Sequence, residues 1–195
     1  EEVIKSEREV ILTGRSIERE HEVVHDDGLH TWLVSRFPIC DATGEIVGLG
    51  AIGNDITERK RGEQFLRTVV DSLPEAVNIT DAEGRYVLVN KRLSDYFGIA
   101  ESDWLGKQLG DLPPTDGTDD QVEQEIGSVR KTGKAIYDSE IKFKLEGSEE
   151  HWLTTRLPIR DTAGQLSHVL TVAHEITDIR QAEAELLAAK EQAEY

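Results

Sequence analysis

The chain repeats itself, and that repeat leaves few folds open. Residues 30–60 read HTWLVSRFPICDATGEIVGLGAIGNDITERK, and residues 151–180 read HWLTTRLPIRDTAGQLSHVLTVAHEITDIR. Trp32 aligns with Trp152, Arg36 with Arg156, Pro38 with Pro158, Asp41 with Asp161, Gly44 with Gly164 and Thr57 with Thr177. Each pair is 120 residues apart, with no gap across the segment. An internal repeat fixes the architecture before any local assignment. In the second copy Leu153, Thr155, Leu157 and Ile159 alternate with Trp152, Thr154, Arg156 and Pro158. That is the period of a strand with two unlike faces. Asp161-Thr162-Ala163-Gly164 is turn chemistry, Leu166–Ala173 is a second strand, and at Thr177 the period becomes helical, with the threonine placed to cap the helix.

A tryptophan-bearing strand, a Pro-Ile-x-Asp-x-x-Gly hairpin, a last strand and a closing Asp-Ile-Thr-Glu-Arg-Lys together resemble the C-terminal half of a PAS domain. The first copy carries that ending at Asp55–Lys60, and the second varies it to Glu175-Ile176-Thr177-Asp178. The resemblance covers nearly the whole chain. It implies an α+β PAS fold, a five-stranded antiparallel sheet with flanking helices. One complete copy and the C-terminal half of another are expected, joined and followed by signalling helices. A sensor module is implied, but not what it senses.

The expected organisation follows. Residues 1–58 are the half-domain, with a helix closed by Gly14 whose apolar side is Val3, Ile4, Ile11 and Leu12, then a strand over Ile17–His25. Methionine is absent, so an internal fragment is expected, with the front half of this domain preceding Glu1. About sixty residues bury little core alone, so this unit is expected to lean on a neighbour or a partner chain. Residues 59–74 are a connector helix with Phe65, Leu66, Val69, Val70 and Leu73 at helical spacing, ended by Pro74. Residues 75–178 are the complete domain, with strands at Ala76–Thr80 and Tyr86–Asn90, a short helix at Lys91–Phe97, a loop at Pro113–Gly117, a long helix at Asp119–Thr132 and a third strand at Ala135–Leu145. Residues 179–195 are an output helix on which Ile179, Ala182, Leu186, Ala189 and Ala193 form a coiled-coil seam.

Several kinds of chemistry are excluded. The net charge of −17 argues against nucleic acid, whose phosphates need a basic face. No apolar run approaches the roughly 18 residues of a membrane span, so the resemblance implies a cytoplasmic fragment whose parent chain can still be membrane-anchored. No Ser-His-Asp order, Walker loop or metalloprotease helix occurs, so no catalytic and no metal-binding residues are expected. A lone cysteine, Cys40, permits no disulfide within the chain. Haem-binding PAS domains place a histidine on the long helix, and Asp119–Thr132 has none. Cysteinyl-adduct flavin chemistry needs a cysteine in the complete domain, and there is none. The cofactor stays unknown. Gly48, Gly50 and Gly53 read as close approach of another backbone.

Family alternation places Tyr137, Ser139, Ile141, Phe143, Leu153, Thr155, Leu157, Val169 and Thr171 inside the complete domain. It leaves Trp152, Leu170, Val172, His168 and His174 outside. A small-molecule ligand would meet Asn90, Tyr96, Tyr137, Ser139, Thr155 and Thr171. The outer apolar stripe calls for a partner, the connector helix of this chain or of its twin. Signal coupling is assigned to Asp55, Thr57, Trp152, Arg156, Glu175 and Thr177, with Arg36 and Arg156 as charge partners of the two closing acids. The expected partners are a second copy through Ile179, Ala182, Leu186 and Ala189, and a downstream kinase domain in the same chain. Function reads as the non-catalytic relay of a sensor histidine kinase. The alternatives are a PAS region of a diguanylate cyclase or phosphodiesterase, or a ligand-free PAS dimerisation module.

Overall fold

Strand alternation and glycine stops build two units, residues 1–68 and 69–195. The structure is a computed structural model that describes residues 2–113, 119–145 and 147–193. Most of the loop expected after Pro113 and the last two tail residues lie outside them.

In the first unit, helix α1 (Glu2–Thr13) stops at Gly14, whose φ of 64° lets its N–H reach Val10 O at 2.9 Å. Strands β1 (Ile17–His25), β2 (Gly28–Cys40) and β3 (Ile46–Asp55) then form an antiparallel sheet in the order β1-β2-β3. Helix α1 packs on β2 and β3. It does so with Ser6 and Val10, both fully buried, while Val3, Ile4, Ile11 and Leu12 are exposed. The expected apolar side is therefore corrected. Both stripes have helical spacing, and the sheet accepts the narrow one, i and i+4. The strand glycines also differ from expectation. A Cβ on Gly50 would lie 2.5 Å from the Phe37 ring, and one on Gly53 would lie 3.2 Å from Trp32. They make room for cross-strand aromatic side chains, not for a backbone.

Helix α2 (Thr57–Asp71) follows. The second unit is a five-stranded sheet made of β4 (Ala76–Asp81), β5 (Tyr86–Val89), β6 (Ile136–Leu145), β7 (Ser148–Arg160) and β8 (Leu166–Glu175), in the order β5-β4-β8-β7-β6. Between β5 and β6 lie α3 (Lys91–Phe97), α4 (Glu101–Trp104), a 3-10 turn at Leu109–Asp111 and α5 (Asp119–Thr132); α6 (Thr177–Ala193) leaves the sheet after β8. The core joins Tyr86, Val89, Leu93, Trp104, Ile141, Phe143 and Trp152.

The repeat is visible in the registers. Trp32 faces Asp55 and Arg36 faces Ala51, as Trp152 faces Glu175 and Arg156 faces Thr171. The outer hairpins differ by one residue. Ile17 and Ile136 sit opposite the two arginines, whereas His21 and Ile141 sit opposite the two tryptophans. The extra residue forms a bulge between Ile136 and Ser139, where Asp138 takes a φ of 51°.

Two burial expectations are corrected here. Directly paired residues share a face, so Val169, Thr171 and Ala173 on β8 carry Pro158, Arg156 and Thr154 inward with them. Trp152, Thr154 and Arg156 are buried, while Leu153, Thr155 and Leu157 lie on the other face beside Leu170 and Val172. The phase expected for β7 was thus inverted, which in a strand moves every side chain. Tyr137 is 67% exposed, turned out by the β6 bulge.

Candidate functional site

The interior face of the second sheet carries one polar row. Asn78 on β4 pairs with Thr171 on β8, and Thr171 pairs with Arg156 on β7. The next row, Ala76, Ala173 and Thr154, is mostly small. Small side chains beside large ones leave space, and the space is a cavity of about 120 Å³. Asn78, Thr154, Arg156, Thr171 and Ala173 line it on the sheet side. Tyr86, Phe97, Trp104, Phe143 and Trp152 wall it. The rings lock edge to face, Tyr86 on Trp104 at 5.1 Å between centroids, while Phe97 stacks on Phe143 at 5.8 Å.

Arg156 is 1% exposed. One Nη donates to Glu125 on α5 and, at 2.7 Å, to Thr154 Oγ1. Glu125 also accepts from Ser139 Oγ at 2.6 Å and from Gln121 Nε2 at 2.9 Å. Burial pulls the Arg156 pKa down, and the Glu125 carboxylate opposes that pull. Three atoms of the polar row have no hydrogen-bond partner among the described residues: Asn78 Oδ1, Thr171 Oγ1 and Arg156 Nε.

Of the six residues expected to meet a ligand, the structure brings only Thr171 to the cavity. Asn90 is fully buried and spent on backbone. Its Oδ1 accepts from Val77 N and Leu93 N, capping α3, and its Nδ2 donates to Val70 O and Glu75 O. Tyr96 packs edge to face on Trp152 at 4.7 Å, with the Arg92 guanidinium 5.4 Å from its ring centre. Burial and the nearby Glu150 carboxylate raise its pKa. Ser139 steers Glu125, and Thr155 Oγ1 faces the bulge, 3.5 Å from Asp138 N. Asn78, Tyr86 and Trp104 were missed. Register alone would have found Asn78, because it pairs with Thr171.

The residues assigned to coupling gather at two helix starts. Thr57 Oγ1 accepts from Thr31 N at 2.8 Å and donates to Asp55 Oδ1 at 2.5 Å, and Ile56 N donates to Thr31 O at 2.9 Å. Thr177 Oγ1 accepts from His151 N at 3.0 Å, and Ile176 N donates to His151 O at 2.8 Å. One turn on, Lys60 pairs with Glu20 at 2.8 Å and Arg180 with Glu140 at 2.6 Å. Arg180 and His151 together hold the Glu140 carboxyl down at about 2. Each hairpin therefore grips the first turn of its exit helix by a threonine hydroxyl that accepts from a strand amide and by an ion pair to its outer strand.

The expected charge partners of the closing acids are corrected. Asp55 Oδ2 lies 2.7 Å from His30 Nδ1, and Glu175 pairs with Arg92 at 3.2 Å. Arg36 instead donates to His21 Nε2 at 3.1 Å. Register explains this: both arginines lie four residues along β2 or β7 from the tryptophan that faces the acid. The Thr57 and His30 contacts pull the Asp55 pKa down, and Asp55 raises that of His30. Along α6, Ile179 and Leu186 are 52% and 59% exposed, and Ala182 and Ala189 are exposed with them. Among the described residues no group of three or more His, Cys, Asp or Glu could hold a metal, and no helix is long and apolar enough to cross a membrane.

A family model described as the PAS fold matches residues 1–61 and 70–181. Over 125 residues, 64% of this chain, the chain is 29% identical to the methanogenesis regulatory histidine kinase FilI of Methanothrix harundinacea, and it covers 14% of that protein. Over 151 residues, 71% of this chain, it is 28% identical to the virulence sensor protein BvgS of Bordetella parapertussis, and it covers 12% of that protein. The chain thus spans about an eighth of the curated relatives it matches. Among solved structures, the Vibrio cholerae VqmA dimer superposes with a TM-score of 0.50 at 20% identity, over 60% of this chain and 52% of that one, a likeness of fold alone.

Proposed function

This chain belongs to the PAS fold family, and on that premise we propose that residues 1–195 are the non-catalytic sensory and relay region of a two-component sensor histidine kinase. The carrying observation is the duplicated grip on the exit helices, Thr57 with Lys60 in one unit and Thr177 with Arg180 in the other. A sheet whose strands shift by a fraction of an ångström pulls on the first turn of its helix through these bonds. Helix α2 carries such a shift from residues 1–58 through the connector, 59–74. Helix α6 carries it out of the complete domain, 75–178. Its Ile179, Ala182, Leu186 and Ala189 face a second copy in a parallel pair, so that two packings of the paired helices become the signal. With alanine at half of these positions the seam is weak, which suits a switch. The similarity to FilI and BvgS supports a kinase as the output.

The test is a chimera in which this chain replaces the matching PAS region of BvgS. Autophosphorylation is expected to persist and to fall at least tenfold in Leu186→Glu, with sedimentation showing loss of the dimer and circular dichroism showing an intact fold. Kinase output indifferent to both Leu186→Glu and Thr177→Ala would sink the relay.

A further inference from the structure

We propose that helix α3 is a strut that couples the end of the connector helix α2 directly to the start of the exit helix α6, pinned to the first at Asn90 and Lys91 and to the second at Arg92. This deepens the relay reading and rests on it for its purpose.

The strut is short and closed at both ends. Its seven residues span about 10 Å. Asn90 Oδ1 caps its start by accepting from Leu93 N, and Gly98 ends it with a φ of 64°. Leu93 fixes its underside in the core.

The start of α3 holds the last turn of α2. Asp71 Oδ1 accepts from Lys91 N at 2.8 Å, and Val70 O accepts from Asn90 Nδ2 at 3.1 Å. Val70 O is among the last carbonyls of α2, the groups a helix end offers to outside donors. All of these residues lie in the second unit. The next residue of α3 reaches the other junction. Arg92 Nη2 donates to Glu175 Oε2 at 3.2 Å, and its guanidinium lies over the Tyr96 ring. Glu175 ends β8, Ile176 then gives its N–H to His151 O, and Thr177 begins α6. Lys91 and Arg92 are consecutive, so adjacent residues of one helix hold the end of α2 and the start of α6.

Two observations give that link a purpose beyond stability. Arg92 and Glu175 are 40% and 33% exposed, and an ion pair so exposed contributes little to folding. The repeat is the second. In the first unit the closing acid, Asp55, finds its partner His30 within its own hairpin. A hairpin of this kind therefore needs no outside partner for its acid, and the reach to α3 in the second unit needs another reason.

Strand β4 offers a second path from α2 to α6 through its pairing with β8. The experiment separates the two by NMR-detected hydrogen exchange on the 195-residue chain. It reads the amides of Ile176 and Arg180, which bond to His151 O and Ile176 O at the start of α6. Asp71→Ala and Arg92→Ala are each expected to speed exchange at both amides about threefold and to leave β4 and β8 unchanged. In the double variant the acceleration should stay at about threefold and not multiply to about ninefold, because the two changes cut one path. Asp71→Asn, which keeps an acceptor, and Arg92→Lys, which keeps a cation, should recover most of the protection. No change at α6 in Asp71→Ala, multiplying effects, equal acceleration in β8, or no recovery in the conservative variants each overturns the strut. Exchange is read without a kinase, so its failure leaves the relay reading standing, and failure of the chimera leaves the strut untouched.

Discussion

The two units use one hairpin for different ends. In the first, the sheet is backed by α1, and the buried arginine, Arg36, meets His21 and lies in the row of Ala51. In the second, α3, α4 and α5 lie between β5 and β6, and Arg156 meets Glu125, Thr154 and the row of Thr171. The exit junctions show the reverse pattern. The strand-amide bond to the threonine and the ion pair repeat in both; the closing acid changes partner, His30 for Asp55 and Arg92 for Glu175, and the threonine hydroxyl donates to Asp55 in one and to Glu150 in the other. The interiors differ while the helix grip is nearly the same.

The largest expected difference lies at the arginines. Arg156→Ala leaves Glu125 without its charge partner beside the core, and the second unit should lose about 3–5 kcal/mol. Arg36→Ala removes a single hydrogen bond to a histidine and should cost the first unit about 1 kcal/mol. Hydrogen exchange followed by mass spectrometry reads each unit through its own peptides, and equal losses would break the comparison.

Next come the junction threonines. Thr57→Ala and Thr177→Ala each remove the acceptor of a strand amide and should each cost about 1 kcal/mol. Thr57 should cost the more, since its hydroxyl makes the shorter bonds, 2.5 Å to Asp55 against 3.2 Å from Thr177 to Glu150. Protection of the Thr31 and His151 amides measures this directly, and a reversed order would mean that the two grips are not alike.

The smallest effect is in pH. Asp55 raises the His30 pKa, so that pair stabilises the first unit fully below the ordinary histidine value of about 6.5 and fades as pH rises through the raised one. On the acid side the lowered pKa of Asp55 gives a contribution that is present above about 3.9 and is lost progressively as pH falls below it, through the lowered folded value. In the second unit the Glu140 contribution is present above about 4.3 and is lost only as pH falls toward about 2. Protection factors at Ile56 should therefore decline between pH 6 and 9, and His30→Gln should flatten that decline. A decline that persists in His30→Gln assigns the titration elsewhere.

Sequence by itself determined the elements and the repeat. Alternation, Asp-x-x-Gly turns and glycine stops are local chemistry, and the bounds of β1, α3 and α5 fall where they place them. The threonines at the two helix starts were legible as capping residues, but their hydroxyls accept from strand amides 26 residues upstream, Thr31 N and His151 N, which only the folded hairpin brings there. Only tertiary structure decided which side of β7 faces inward, because alternation gives two faces and pairing to β8 chooses between them. It also decided the partners of Arg156 and Asn90. Glu125 lies 31 residues from Arg156, and Val70 lies 20 from Asn90. No local pattern encodes such contacts, because they exist only once the sheet has brought distant segments side by side.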